Sequence, residues 1–141
     1  MSGFLLDTNI VSELVKTKPE PKVVEWIEAT DEELLFLSVL TLGEIRKGIA
    51  LLKDAARQAK LEAWVVRALP IRFTNRILSI DKNIAERWGV LSAQAKATMN
   101  HNLPVIDGLL AATAQHHNLT LVTRNIEDLF GTGVPVFNPW A

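Results

Sequence analysis

The stretch Phe4–Leu14, FLLDTNIVSEL, constrains this chain more than any other. A short apolar run stops abruptly on Asp7, and residues at helical spacing follow at once. So brief a run reads as a buried strand, Phe4–Leu6. Thr8–Val15 reads as a helix capped by Asp7 or Thr8. Asp7 therefore stands at the carboxyl end of a strand, where open α/β sheets keep their binding crevices.

The alternation repeats down the chain. Pro19 and Pro21 interrupt Lys16–Pro21, and Val23–Ala29 resumes a helix with Val23, Trp26 and Ile27 on one side. The acidic loop Asp31–Glu33 leads into a second strand, Leu34–Ser38. Thr41 then opens a long helical region to about Leu69, with room for a break near Lys53–Ala55, and Pro70 is expected to end it. Ile77–Ile80 reads as a third strand. Asp81 caps a helix to about Met99, on which Ile84, Trp88, Leu91, Ala95 and Met99 recur at helical spacing. Ile106–His117 is apolar almost all round, hence a buried helix, and Asn118 is suited to a left-handed stop. Leu119–Thr123 is a fourth strand, Asn125–Phe130 a short helical turn, and Val134–Phe137 a last strand. Strands alternating with helices predict an α/β fold: a mostly parallel sheet of about five short strands, covered on both faces.

At 141 residues, without linker or repeat, residues 1–141 are expected to close one domain. Hydrophobic residues at 48% and charged ones at 22% exclude a disordered chain. No run is long enough to span a membrane and no signal-peptide layout is present, so a cytoplasmic location is expected. Without cysteine, disulfides and thiolate metal sites are ruled out. The formal net charge of -1 gives no overall attraction to nucleic acid, so any grip on phosphates must be a local basic patch.

Three acids stand out by position. Asp7 ends the first strand, Glu44 falls in the first turn of the helix after the second, and Asp107 opens the buried helix before the fourth. In a parallel α/β unit these junctions share one edge of the sheet. Carboxylates gathered there raise each other's pKa unless a cation neutralises them. An all-oxygen donor set suits Mg²⁺ or Mn²⁺ rather than zinc, and such a metal serves phosphodiester hydrolysis. Each acid also has a plainer reading: Asp7 as an N-cap, Thr41-x-x-Glu44 as a capping box, Asp107 as a partner of the helix dipole. Asp81, in the similar layout SIDKNIAERW, reads as a cap only.

These residues resemble a known family, the PIN-domain endoribonucleases, specifically VapC-type toxins of the FitB-like group. The matching pieces are LLDTNIVSEL, LTLGEIRKGI at 40–49, IDGLLAATAQHHNLTLVTRN at 106–125 and the trailing DLFGTGVPVFNPW, in order across nearly the whole chain. The resemblance implies a PIN-like three-layer α/β/α sandwich and a metal-dependent ribonuclease, with Asp7, Glu44 and Asp107 as catalytic, metal-binding acids and Mg²⁺ or Mn²⁺ as cofactor. A fourth acid is common in the family after the last core strand. Here Asn125 stands in that region and Asp128 follows one helical turn later, so either is the candidate fourth ligand. Thr8 and Thr123 match the polar positions beside the acids. RNA as substrate, a homodimer, and inhibition by a small antitoxin lying in a hydrophobic groove walled by about 41–69 follow from the same resemblance.

Arg46 and Lys47, just after Glu44, are candidates for contacting substrate phosphate. Lys53, Arg57, Lys60 and Arg67 would share a stripe if 53–69 were one continuous helix, but a solvated basic face is the plainer reading. His116 and His117 lie roughly 14–15 Å from Asp107 along a helix, too far to share its site, and His101 also reads as a helix-end residue. The four tryptophans read as core or interface. No P-loop, Gly-x-Gly-x-x-Gly or Gly-x-Ser-x-Gly motif is present. Two other readings compete: a PIN-like binding scaffold without catalysis, and a Mg²⁺-dependent phosphatase of the haloacid-dehalogenase kind. The second wants Asp-x-Asp, and Asn9 occupies its second place.

Overall fold

The computed structural model describes residues 2–141. Strands β1 (Phe4–Leu6), β2 (Leu35–Ser38), β3 (Ile77–Leu78), β4 (Thr120–Val122) and β5 (Val136–Phe137) form one sheet in the order β3-β2-β1-β4-β5. Every neighbouring pair is parallel. The helices are α1 (Thr8–Glu13), α2 (Pro21–Ala29), α3 (Val39–Ala50), α4 (Ala55–Ala63), α5 (Leu69–Arg72), α6 (Lys82–Met99) and α7 (Val105–His116).

Successive strand residues point to opposite faces, and each face meets a helical layer. Leu5 and Leu121 enter one core with Ile84 and Leu91 of α6 and Leu110 and Ala111 of α7. Leu6 and Val122 enter the other, with Ile10 and Val11 of α1, Val23 and Ile27 of α2, and Ile45 and Ile49 of α3. The result is the three-layer α/β/α sandwich expected.

From β1 the chain builds β2 and β3 on one side, then returns to build β4 and β5 on the other. The order therefore reverses between β1 and β4. Connections diverge at such a switch point and leave a crevice beyond the carboxyl ends of the two strands. Leu6 pairs with Val122, so the residues that follow them, Asp7 and Thr123, emerge together at the crevice. Because α7 runs back across the sheet into β4, it begins at the edge where β4 ends. That brings Asp107, in its first turn, to the same rim.

Several local expectations are corrected. The N-cap of α3 is Ser38, whose hydroxyl accepts the Leu40 N–H at 3.1 Å, so the helix starts before Thr41 and the Thr41–Glu44 capping box does not form. Thr41 is buried with its hydroxyl unpartnered, and Glu44 moves to the second turn. Leu34 belongs to a 3₁₀ turn, Glu32–Leu34, rather than to β2. Pro70 does not end the helical region. Trp64–Ala68 forms a π-helical turn, the Leu69 N–H reaches the Trp64 carbonyl, and Pro70 sits at the start of α5. Pro70 has no N–H to pair, and the π turn just before it shifts the hydrogen-bond register so that the helical run continues past it. The outer strands are shorter than expected, since only Ile77–Leu78 and Val136–Phe137 pair. Asp54 caps α4, so Lys53 precedes that helix, and the wide π turn takes Arg67 off the ideal helical phase. The proposed stripe of four cations is therefore not continuous. Asp81 caps α6 by accepting the Ile84 N–H at 2.9 Å, and Asn118 takes a left-handed φ of 56°, both as expected.

Candidate active site

Asp7 is fixed through both carboxylate oxygens. Oδ1 accepts the Thr8 N–H at 2.7 Å, the cap of α1, and Oδ2 accepts the Thr123 hydroxyl at 2.7 Å from the end of β4. Thr123 in turn accepts the Asn125 N–H at 3.1 Å, which bends the chain as it leaves β4. The Thr8 hydroxyl donates to Glu44 Oε1 at 2.5 Å, tying α1 to α3. The capping and catalytic readings of Asp7 are thus compatible: one side chain both starts α1 and faces the crevice.

Asp7, Thr8, Asn9, Glu44, Asp107 and Asn125 line one open depression of about 390 Å³, together with Ser12, Lys16 and Arg124. The electrostatics agree with that crowding. Burial raises the Asp7 pKa, the Thr123 and Thr8 hydrogen bonds oppose the rise, and the Glu44 charge adds to it. Burial and the charges of Asp7, Asp128 and Glu44 push Asp107 up to about 6. Among the described residues none of these three acids is ion-paired with a lysine or arginine. Uncompensated carboxylates around one hollow call for a cation.

The donor set fits a hard divalent ion: carboxylates, hydroxyls and amide oxygens, with no imidazole or thiolate among the lining residues. Among the described residues no three His, Cys, Asp or Glu side chains close into a finished cage.

The other expected residues fall as follows. Asn125 lines the depression. Asp128 lies on the 3₁₀ turn Glu127–Leu129, near enough to act on Asp107 through charge, with His101 Nε2 3.8 Å from its Oδ1. Arg46 and Lys47 are exposed on α3, outside the lining of the depression. His116 and His117 stack edge to face at the far end of α7, with ring centroids 4.9 Å apart. Sequence reasoning missed Asn9, whose buried Oδ1 has no partner, and the basic residues Lys16 and Arg124. Lys16 was discernible as the i+3 neighbour of Glu13. Arg124 was hidden by its distance in sequence from the groups it meets.

The profile described as PIN domain matches residues 4–129. The chain belongs to the PIN-domain family. Its PIN domain is 36% identical over 137 residues to Toxin FitB of Neisseria gonorrhoeae, with 97% of this chain and 98% of that protein covered. It is also 36% identical over 141 residues to VapC ribonuclease Y4jK of Sinorhizobium fredii, with 97% of each covered. The crystal structure of FitAcB from Neisseria gonorrhoeae superposes with a TM-score of 0.92 at 36% identity, covering 97% of this chain and 98% of that one. Ribonuclease homologues make this PIN domain a nuclease, and divalent-metal dependence is general among PIN ribonucleases. The phosphatase alternative falls with the family assignment: Asn9 provides no second carboxylate in the Asp7 motif of this PIN domain.

Proposed function

We propose that this chain is a Mg²⁺- or Mn²⁺-dependent endoribonuclease that acts in the cytoplasm as the toxin of a type II toxin–antitoxin pair. The observation that carries the reading is the unneutralised group Asp7, Glu44 and Asp107 around one depression at the sheet's switch point. Asp7 and Asp107 would hold the cation, with Glu44 and the Asn125 carbonyl completing the set directly or through water. When bound, the metal supplies polarisation of the phosphoryl oxygen and a lowered pKa for water.

The chain's own residues do the rest. Thr8 and Thr123 lock the Asp7 carboxylate so that it need not reorganise during reaction. The Thr8 hydroxyl aims Glu44 into the same space. One carboxylate oxygen of this group accepts the proton of the attacking water as its oxygen bonds to phosphorus and the bond to the leaving ribose oxygen breaks.

A partner surface adjoins the site. Thr8, Ser12, Lys16 and Glu44 also line an apolar groove of about 260 Å³ continued by Ile45, Ile49, Leu52, Leu61 and Trp64. An antitoxin tail laid there would end beside the acids and block RNA, and the chain would pair with a second copy of itself. No helix among the described residues is long and apolar enough to cross a membrane.

The decisive experiment incubates single-stranded RNA with wild type and Asp107→Asn, in Mg²⁺ or EDTA. Wild type in Mg²⁺ cleaves; EDTA or the substitution lowers the rate by about 10²-fold or more. Equal RNA stability in all arms overturns the enzyme in favour of a binding scaffold.

A further inference from the structure

Glu13 closes α1 beside the depression without lining it, and only 4% of its side chain is exposed. Lys16 Nζ lies 3.0 Å from its Oε1, and Arg124 Nη2 lies 3.5 Å from the same oxygen. Its Oε2 accepts the Glu20 N–H at 3.1 Å. Burial opposes the charge. The hydrogen bonds from Lys16 and Glu20 and the charges of Lys16 and Arg124 outweigh it and hold the carboxyl below the ordinary glutamate value.

Ion pairs whose cations stay half exposed contribute little net stability. What they do fix is position. Arg124 is restrained a second time, its guanidinium carbon 4.1 Å from the centroid of the Trp140 ring. Both cations nevertheless stay half exposed, Lys16 at 51% and Arg124 at 52% of their side chains, and both line the depression that holds the acids. Their ion pairs run to Glu13 and not to Asp7, Glu44 or Asp107. One negative charge anchoring two positive ones leaves a surplus positive charge at the rim.

A strand of RNA approaching three carboxylates meets repulsion, and the net charge of -1 provides no compensating pull. The planar fork of an arginine matches a phosphate in two hydrogen bonds, and a restrained fork loses less entropy in making them. We propose that Arg124 and Lys16 grip a backbone phosphate of the RNA next to the one cleaved, with Glu13 and Trp140 as the residues that position them. This rests on the ribonuclease reading and deepens it.

The test measures binding of a labelled single-stranded RNA in EDTA across a salt series, with wild type, Arg124→Ala, Arg124→Lys, Lys16→Ala and Glu13→Gln, beside steady-state cleavage in Mg²⁺. Arg124→Ala is expected to weaken binding about tenfold, raise KM with kcat nearly unchanged, and flatten the slope of log affinity against log salt by about 0.7, one phosphate contact. Lys16→Ala shifts in the same direction. Arg124→Lys keeps the charge and restores the slope. Glu13→Gln keeps both cations, so the slope persists while affinity falls, an outcome that lost folding alone does not produce.

An unchanged slope and KM in Arg124→Ala, with or without a lower Tm, overturns the phosphate grip and leaves the nuclease intact. Salt-sensitive binding that Arg124→Ala weakens, in a protein that never cleaves RNA, upholds the grip and overturns the nuclease. No binding by wild type in EDTA at any salt overturns the grip, and no cleavage in Mg²⁺ beside it overturns the nuclease as well.

Discussion

At neutral pH Asp107 is ionised against its surroundings. Burial, then the charges of Asp7, Asp128 and Glu44, hold its pKa at about 6. The folded protein thus binds this proton more tightly than the unfolded chain, whose value is near 3.8. The stability it contributes is complete below that lower value and is lost as pH rises towards 6. Metal-free Asp107→Asn should therefore melt higher than wild type at pH 7 and lack this decline between pH 4 and 6, a comparison that thermal melts in EDTA decide. Thr123 acts on Asp7 in the opposite direction, since its hydroxyl favours the charged carboxylate. Thr123→Val removes that donor and raises the Asp7 pKa further. The acid limb of the cleavage–pH profile should move to higher pH; a limb that stays in place removes Asp7 ionisation from the mechanism.

Among the elements, α6 and α7 show how tightly the layer carrying Asp107 is packed. A Cβ on Gly108 would sit 2.9 Å from Trp88 Cδ1 and 2.9 Å from Nε1, whereas one on Gly89 of α6 meets nothing within 4 Å. Gly89→Ala should stabilise by up to about 1 kcal/mol through helix propensity. Gly108→Ala gains the same term but overpacks by about 1–3 kcal/mol, so it should destabilise on balance in urea titrations. Such closeness is invisible in sequence, where both glycines look like interchangeable interruptions of a helix. The same boundary separates what was legible elsewhere. Asp7 after an apolar run and the unbroken apolar surface of α7 are local signals, and both led to the site. The start of α3 was misread because Thr41 and Glu44 imitate a capping box while Ser38, the true cap, looked like the end of a strand. Pro70 was misread because a π turn has no sequence signature and shifts which N–H groups need partners. Arg124 went unrecognised because Glu13 and Trp140, which give it its place, are local to it only after folding.

For the molecule as a whole, carboxylates at the switch point are a stability deficit that a divalent ion, bound as proposed, would remove. Saturating Mg²⁺ should raise Tm of the wild type by several degrees, since a ligand at about 100 times its Kd contributes about 2.7 kcal/mol. The shift should shrink in Asp7→Asn or Asp107→Asn; equal midpoints with and without Mg²⁺ would remove the metal from the site. The parallel sheet concentrates the consequences at one rim, because every strand delivers its carboxyl end there. The stack of Arg124 on Trp140 extends that rim to the last residues described. A purification handle fused directly to Ala141 would crowd the mouth through which a polynucleotide enters. Silence from such a fusion would report on the handle rather than on the acids.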